Sequence, residues 1–213
     1  MSPAIGKVSG KCIIPPAPKS VLVLAHGAGA GMEHSFMEAL ASRLAERGIA
    51  TVRYNFPFTE NKKGRPDSPV IAHLAVKAAI AKTQELFPKI PLFVAGKSFG
   101  GRMSSQYLSA NHEPLVSGII FYGFPLHPAG KPSTERAAHL QELRLPMLFL
   151  QGTKDALATI NLVEAVVKPL RLATLVKLEG ADHSFKAGKT DTLSWLAEET
   201  SKWTEKIIAR KNS

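Results

Sequence analysis

Six short runs dominated by Val, Ile, Leu and Phe punctuate the chain: Val21–Ala25, Ile49–Tyr54, Leu92–Ala95, Val116–Tyr122, Met147–Gln151 and Thr174–Leu178. Their apolar character is mostly continuous rather than alternating, which is the pattern of strands covered on both faces. Longer stretches with helical spacing lie between them. Glu33–Arg47 places Phe36, Met37, Leu40, Ala41 and Leu44 on one stripe and stops at Gly48, where a helix terminator belongs. Val70–Phe87 repeats the pattern with Ile71, Leu74, Ala78 and Ala81 and ends before Pro88. Ser98–Leu108, Ile160–Leu170 and Asp191–Arg210 complete the helical set, and Ile5–Ile14 reads as an added edge strand. The alternation predicts an α/β fold: a mostly parallel central sheet of about six or seven strands with helices on both faces. Phe56–Pro69 and Pro125–Ser133 are irregular and dense in Pro, Gly and Lys. Each follows the carboxyl end of a strand, where open α/β sheets hold their ligands, so both are expected to wall a site.

Length limits this pattern to one domain spanning 1–213, since 213 residues suffice for a single well-buried core. An apolar fraction of 45% and a charged fraction of 21% exclude disordered, collagen-like and coiled-coil chains. The lone cysteine, Cys12, can form no internal disulfide, and no His/Cys/Asp/Glu cluster has metal-ligand spacing. No metal and no cofactor are expected. The apolar run Val21–Ala25 falls far short of the roughly 20 residues a membrane helix needs. The stretch from Met1 to Pro18 lacks the apolar core of a secretory leader, and the expected location is cytoplasmic. Twenty-seven basic against 17 acidic residues give a net charge of +10. The cations are scattered, however: Lys62, Lys63 and Arg65 share a loop, while Lys202, Lys206 and Arg210 share one helix face. Such dispersal reads as a solvated surface and argues against a nucleic-acid partner, although it would steer an anionic substrate.

Candidate chemistry centres on Leu92-Phe-Val-Ala-Gly-Lys-Ser98-Phe-Gly-Gly-Arg102, an apolar strand running into G-x-S-x-G and then into a helix. A serine at such a turn has strained backbone geometry, and its glycines let neighbouring chains approach closely. The Phe99 N–H then lies at a helix N-terminus, suited to stabilising an oxyanion. A phosphate-binding loop would need glycine at the position occupied by Pro91. The cluster His26-Gly-Ala-Gly-Ala-Gly31 lacks the third glycine of a dinucleotide fingerprint, because Met32 occupies that place. It suits a different task, supplying the Ala28 N–H as second oxyanion donor, with Gly27 and Gly29 shaping the loop.

A serine nucleophile requires a base and an orienting acid. Of seven histidines, His183 lies in a loop just past a late strand; His34 and His73 fall on helices, His112 and His139 in polar connectors, and His26 opens the oxyanion loop. Among four aspartates, Asp182 adjoins His183, Asp191 caps a helix and Asp67 lies in the basic loop, which leaves Asp155 beyond the Met147–Gln151 strand. The order Ser98, Asp155, His183 is that of the α/β-hydrolases. From Val21 onward the chain resembles that superfamily, and within it the small, lidless, dienelactone-hydrolase-like branch. The markers are His26-Gly-Ala-Gly-Ala30, Tyr54-Asn-Phe-Pro57, Ala95-Gly-Lys-Ser-Phe-Gly-Gly-Arg102, Gln151-Gly-Thr-Lys-Asp155 and Gly180-Ala-Asp-His183.

The resemblance implies an α/β-hydrolase fold without a separate lid, with Ser98 as nucleophile, His183 as base and Asp155 as acid. Dienelactone hydrolases carry cysteine where this chain has Ser98. The implied activity is cleavage of an ester, thioester or related acyl bond in a small molecule, by a monomer or small homo-oligomer with no membrane partner. His26, Gly27, Tyr54, Asn55, Phe56 and Arg102 are candidates for contact with substrate. The competing reading is a catalytically silent binding or scaffold protein, motivated by the positive charge and by Lys97 and Arg102 beside the elbow.

Overall fold

A computed structural model describes residues 5–212. Seven strands form one sheet: β1 (Gly10–Ile13), β2 (Ser20–Ala25), β3 (Ile49–Tyr54), β4 (Leu92–Lys97), β5 (Val116–Tyr122), β6 (Met147–Gly152) and β7 (Ala173–Leu178). Their order is β1-β3-β2-β4-β5-β6-β7, with β1 antiparallel to β3 and every other pairing parallel. The helices are α1 (Ser35–Ala45), α2 (Pro57–Glu60), α3 (Pro69–Leu86), α4 (Phe99–Ala110), α5 (Ile160–Val167) and α6 (Thr192–Asn212). This is the α/β architecture expected from the alternation, and none of these helices is long and apolar enough to cross a membrane.

Side-chain alternation divides the sheet into two cores. Val21, Val23, Val94 and Phe121 join α3 and α4 through residues such as Val76 and Met103. Leu22, Leu24, Phe93 and Ile120 join α1 and α6 through Leu40, Leu44 and Trp203. Continuous apolar strands result, because both faces must be fed.

Several elements differ from expectation. The edge strand is confined to Gly10–Ile13 rather than Ile5–Ile14, since its register with β3 runs only from Tyr54 to Thr51. β7 is half-exposed rather than covered on both faces, being the last strand in the order. Part of the Phe56–Pro69 segment winds into α2, and Pro69 opens α3 at the position where its missing N–H costs nothing. Beyond Pro125–Ser133 a 3₁₀ helix, Glu135–Glu142, buries Ala137 and Leu140.

The strand order fixes where a site can form. β2 lies between β3 and β4, so successive crossovers reverse direction there, and the crevice beyond the carboxyl ends of β2 and β4 is the topological switch point.

Candidate active site

Four strand ends converge at that edge. The loop after β2 carries His26 to Ala28, Ser98 follows β4, Asp155 follows β6, and His183 follows β7. His183 Nε2 lies 2.8 Å from Ser98 Oγ, and His183 Nδ1 lies 2.7 Å from Asp155 Oδ2. Three side chains 28 and 85 positions apart therefore form one hydrogen-bonded chain.

Ser98 caps α4 with φ 50° and ψ −116°, a left-handed conformation that a residue with a Cβ rarely adopts. Glycine makes it tolerable. A Cβ on Gly96 would fall 2.2 Å from the Gly101 nitrogen, and one on Gly100 would fall 2.6 Å from the His26 carbonyl oxygen. Chain segments thus cross at a distance that no side chain could share.

The Asp155 side chain is 1% exposed, and three donors meet its carboxylate. Oδ2 accepts from His183 Nδ1 and from Gln151 Nε2 at 2.6 Å; Oδ1 accepts from the Leu157 N–H at 2.8 Å. A buried carboxylate requires such satisfaction. With Nδ1 donating to Asp155, Nε2 presents its lone pair to the serine hydroxyl.

The two N–H groups expected as donors follow neighbouring strands, Ala28 after β2 and Phe99 after β4. Among the described residues no protein group accepts from the N–H of Phe99 or that of Ala28. The first belongs to the N-terminal turn of α4, where unpaired N–H groups concentrate partial positive charge. Gly27 sits against the elbow, with the Ser98 Cβ 3.8 Å from its own Cβ position.

The other sequence candidates divide. His26 is fully buried, and the Phe56 N–H donates to its Nε2 at 3.0 Å, so Nδ1 carries the proton and donates to the Gly27 carbonyl at 2.8 Å. Burial holds its pKa below the ordinary histidine range, against the opposing pull of the Gly27 carbonyl. Phe56 and Tyr54 are buried as well, in a ring cluster with His26, Phe58 and Phe99. The substrate contact expected of His26, Tyr54 and Phe56 is therefore corrected to packing beneath the β2 loop, because their strand-end positions turn them into the core. Asn55 braces the same loop: Oδ1 accepts the Met32 N–H at 2.9 Å, and Nδ2 donates to Glu60 at 3.0 Å. Arg102 is half-buried near Arg136 and His139, and no carboxylate among the described residues pairs with it.

Sequence reasoning missed three supports. Gln151 joins Asp155 to the Phe124 N–H, Arg53 donates to the Met32 carbonyl at 2.6 Å, and Lys97 donates to the His183 carbonyl at 2.7 Å. All three are polar residues inside otherwise apolar strands, and that contrast was the available signal. His139, assigned a surface connector, instead lies partly buried in the 3₁₀ helix and contacts Ser105 at 2.7 Å. No group of three or more His, Cys, Asp or Glu side chains suited to a metal ion occurs among the described residues.

A family model for the alpha/beta hydrolase domain matches residues 18–209. The chain belongs to that family. Solved structures agree on the fold. An alpha-beta serine hydrolase homologue from Coxiella burnetii is 24% identical with a TM-score of 0.76, the match covering 95% of this chain and 94% of the other. A dienelactone hydrolase from Anabaena variabilis is 20% identical with a TM-score of 0.76, over 93% and 92% of the two chains. An α/β serine hydrolase without a lid from Xanthomonas campestris is 22% identical with a TM-score of 0.73, over 93% and 90%. The likeness to these three structures is one of fold.

Proposed function

We propose that the protein is a serine hydrolase that cleaves an ester, thioester or related acyl bond through an acyl-enzyme. The observation carrying this reading is the unbroken chain from Ser98 Oγ through His183 to Asp155, with contacts of 2.8 and 2.7 Å. His183 takes the Ser98 proton as Oγ attacks the acyl carbon, and Asp155 stabilises the resulting imidazolium. The Phe99 and Ala28 N–H groups bind the oxyanion, each contributing about 2.7–4 kcal/mol of barrier lowering. The imidazolium protonates the leaving group; water, activated by His183, then releases the acid and regenerates Ser98.

The substrate is a small molecule. Arg102 begins one helical turn after Ser98, its N–H bonded to the Ser98 carbonyl at 3.1 Å, and its free guanidinium suits a carboxylate or other anionic substituent. Serine hydrolases among the structural relatives favour the same reaction class. A silent scaffold has less support, because no member of the constellation is lost. A fluorophosphonate probe tests the proposal: it should label the intact protein and fail on Ser98→Ala. Labelling that persists in the variant would remove the assignment.

A further inference from the structure

We propose that Lys97 is a positioning residue for this chemistry, its ammonium holding the His183 loop so that the imidazole stays aligned with the Ser98 hydroxyl. The inference rests on the reading of Ser98 and His183 as nucleophile and base. Lys97 closes β4, immediately before Ser98, yet its side chain does not leave for solvent. It turns toward the segment after β7, donates from Nζ to the His183 carbonyl at 2.7 Å and lies 5.5 Å from the centre of the Phe185 ring. One amine thus ties the residue before the proposed nucleophile to the backbone of the proposed base.

The tethered loop needs holding. Phe185 has φ 61°, a second left-handed conformation two residues beyond His183, and the turn is closed by Asp182, whose Oδ1 accepts from the N–H groups of Ser184 and Lys186. Those bonds shape the turn without linking it to β4. Lys97 supplies that link beside Gly123, whose Cβ position lies 3.5 Å from Nζ and 3.7 Å from Asp155 Oδ2.

Packing alone does not call for a lysine here. Burying an ammonium is costly, and an apolar side chain would fill the same volume without that cost. Burial draws Lys97 down to about 8, while Asp155 and Asp182 pull the other way. What a lysine offers there, and an apolar residue does not, is a donor to the His183 carbonyl and a positive charge near Asp155 and Asp182. Lys97 reaches the His183 backbone rather than the space in front of the Ser98 hydroxyl, so loss of the tether should slow the chemical steps and leave binding intact.

Steady-state kinetics on p-nitrophenyl acetate, with thermal unfolding measured in parallel, provide the test. Lys97→Met should lower kcat by roughly 10- to 100-fold, the scale of a misplaced catalytic group, with KM within about twofold of the parent. Lys97→Arg, which keeps a cationic donor, should recover most of that loss. A folded Lys97→Met enzyme with parental kcat overturns the proposal. So does a loss that falls on KM instead, or one that Lys97→Arg does not repair. Should Lys97→Met fail to fold, Lys97→Gln takes its place, with the same outcomes required. A parent protein that neither turns over ester nor accepts a fluorophosphonate defeats the serine-hydrolase reading itself, and is thereby distinguished from a failure at Lys97 alone.

Discussion

Two serine–histidine pairs involve α4, one at its N-cap and one within it, and their contacts are nearly equal: 2.8 Å for Ser98 with His183 and 2.7 Å for Ser105 with His139. Their surroundings are opposite. Behind His183 stands the buried Asp155 carboxylate, which accepts from Nδ1 at 2.7 Å. Around His139 are burial, the Arg102 guanidinium and His73, which together push its pKa down to about 4. Ser98 sits in a strained turn beside free N–H groups, whereas Ser105 is buried within the helix and 2.9 Å from the Arg102 carbonyl oxygen. A hydroxyl–imidazole contact does not by itself mark a reactive serine; under the proposed function, the carboxylate behind His183 and the unpaired N–H groups next to Ser98 set the first pair apart from the second.

The sharpest way to break this comparison is to truncate each serine. Ser98→Ala should cost about 10⁶-fold in kcat, by analogy with other hydrolases that lose their nucleophile. Ser105→Ala should leave ester turnover within about twofold; a comparable loss would show the second pair to be chemically engaged. Next in size is Asp155→Asn, expected to lower kcat about 10⁴-fold because the amide favours the wrong imidazole tautomer. Unchanged pre-steady-state acylation would contradict this. Gly100→Ala probes the turn that only the first pair possesses. Its new Cβ would press within 2.6 Å of the His26 carbonyl oxygen, and denaturant unfolding should report a loss of about 3 kcal/mol.

The smallest effect concerns pH and the second pair. The folded pKa of His139 lies near 4, below the ordinary 6.5 of the unfolded chain. Between these values the unfolded state binds more protons, so stability should fall as pH drops through that window. His26, also depressed by burial, adds to the same trend. Thermal unfolding between pH 7 and 4 should therefore show a shallower acid decline in His139→Gln than in the parent, and identical slopes would refute this account.

Much of the architecture was legible because the sheet is fed from both sides, which leaves continuous apolar runs separated by helical stripes. Ser98, Asp155 and His183 were found from strand-end position and residue type. What escaped notice had no such periodicity. The 3₁₀ helix buries only Ala137 and Leu140, three positions apart, too little to mark a segment. His26, Tyr54 and Phe56 occupy pocket-like positions in the chain, and their inward turn depends on ring packing with partners distant in sequence. Lys97 was noticed as unusual, but its partner lies 86 positions away, and spacing alone does not reveal it.

The adjacency of β2 and β4 has a further consequence. Ala25 and Gly96 are paired in that ladder, so the two proposed oxyanion donors emerge from neighbouring strands about 4.8 Å apart. The segments that carry the polarising groups thus start from a separation set by the sheet's own repeat. Only the exposed stretches of the flanking loops, such as 62–66, could then be exchanged for other sequences without touching the residues that brace this frame, since Phe56 supports the β2 loop and Phe124 holds Gln151.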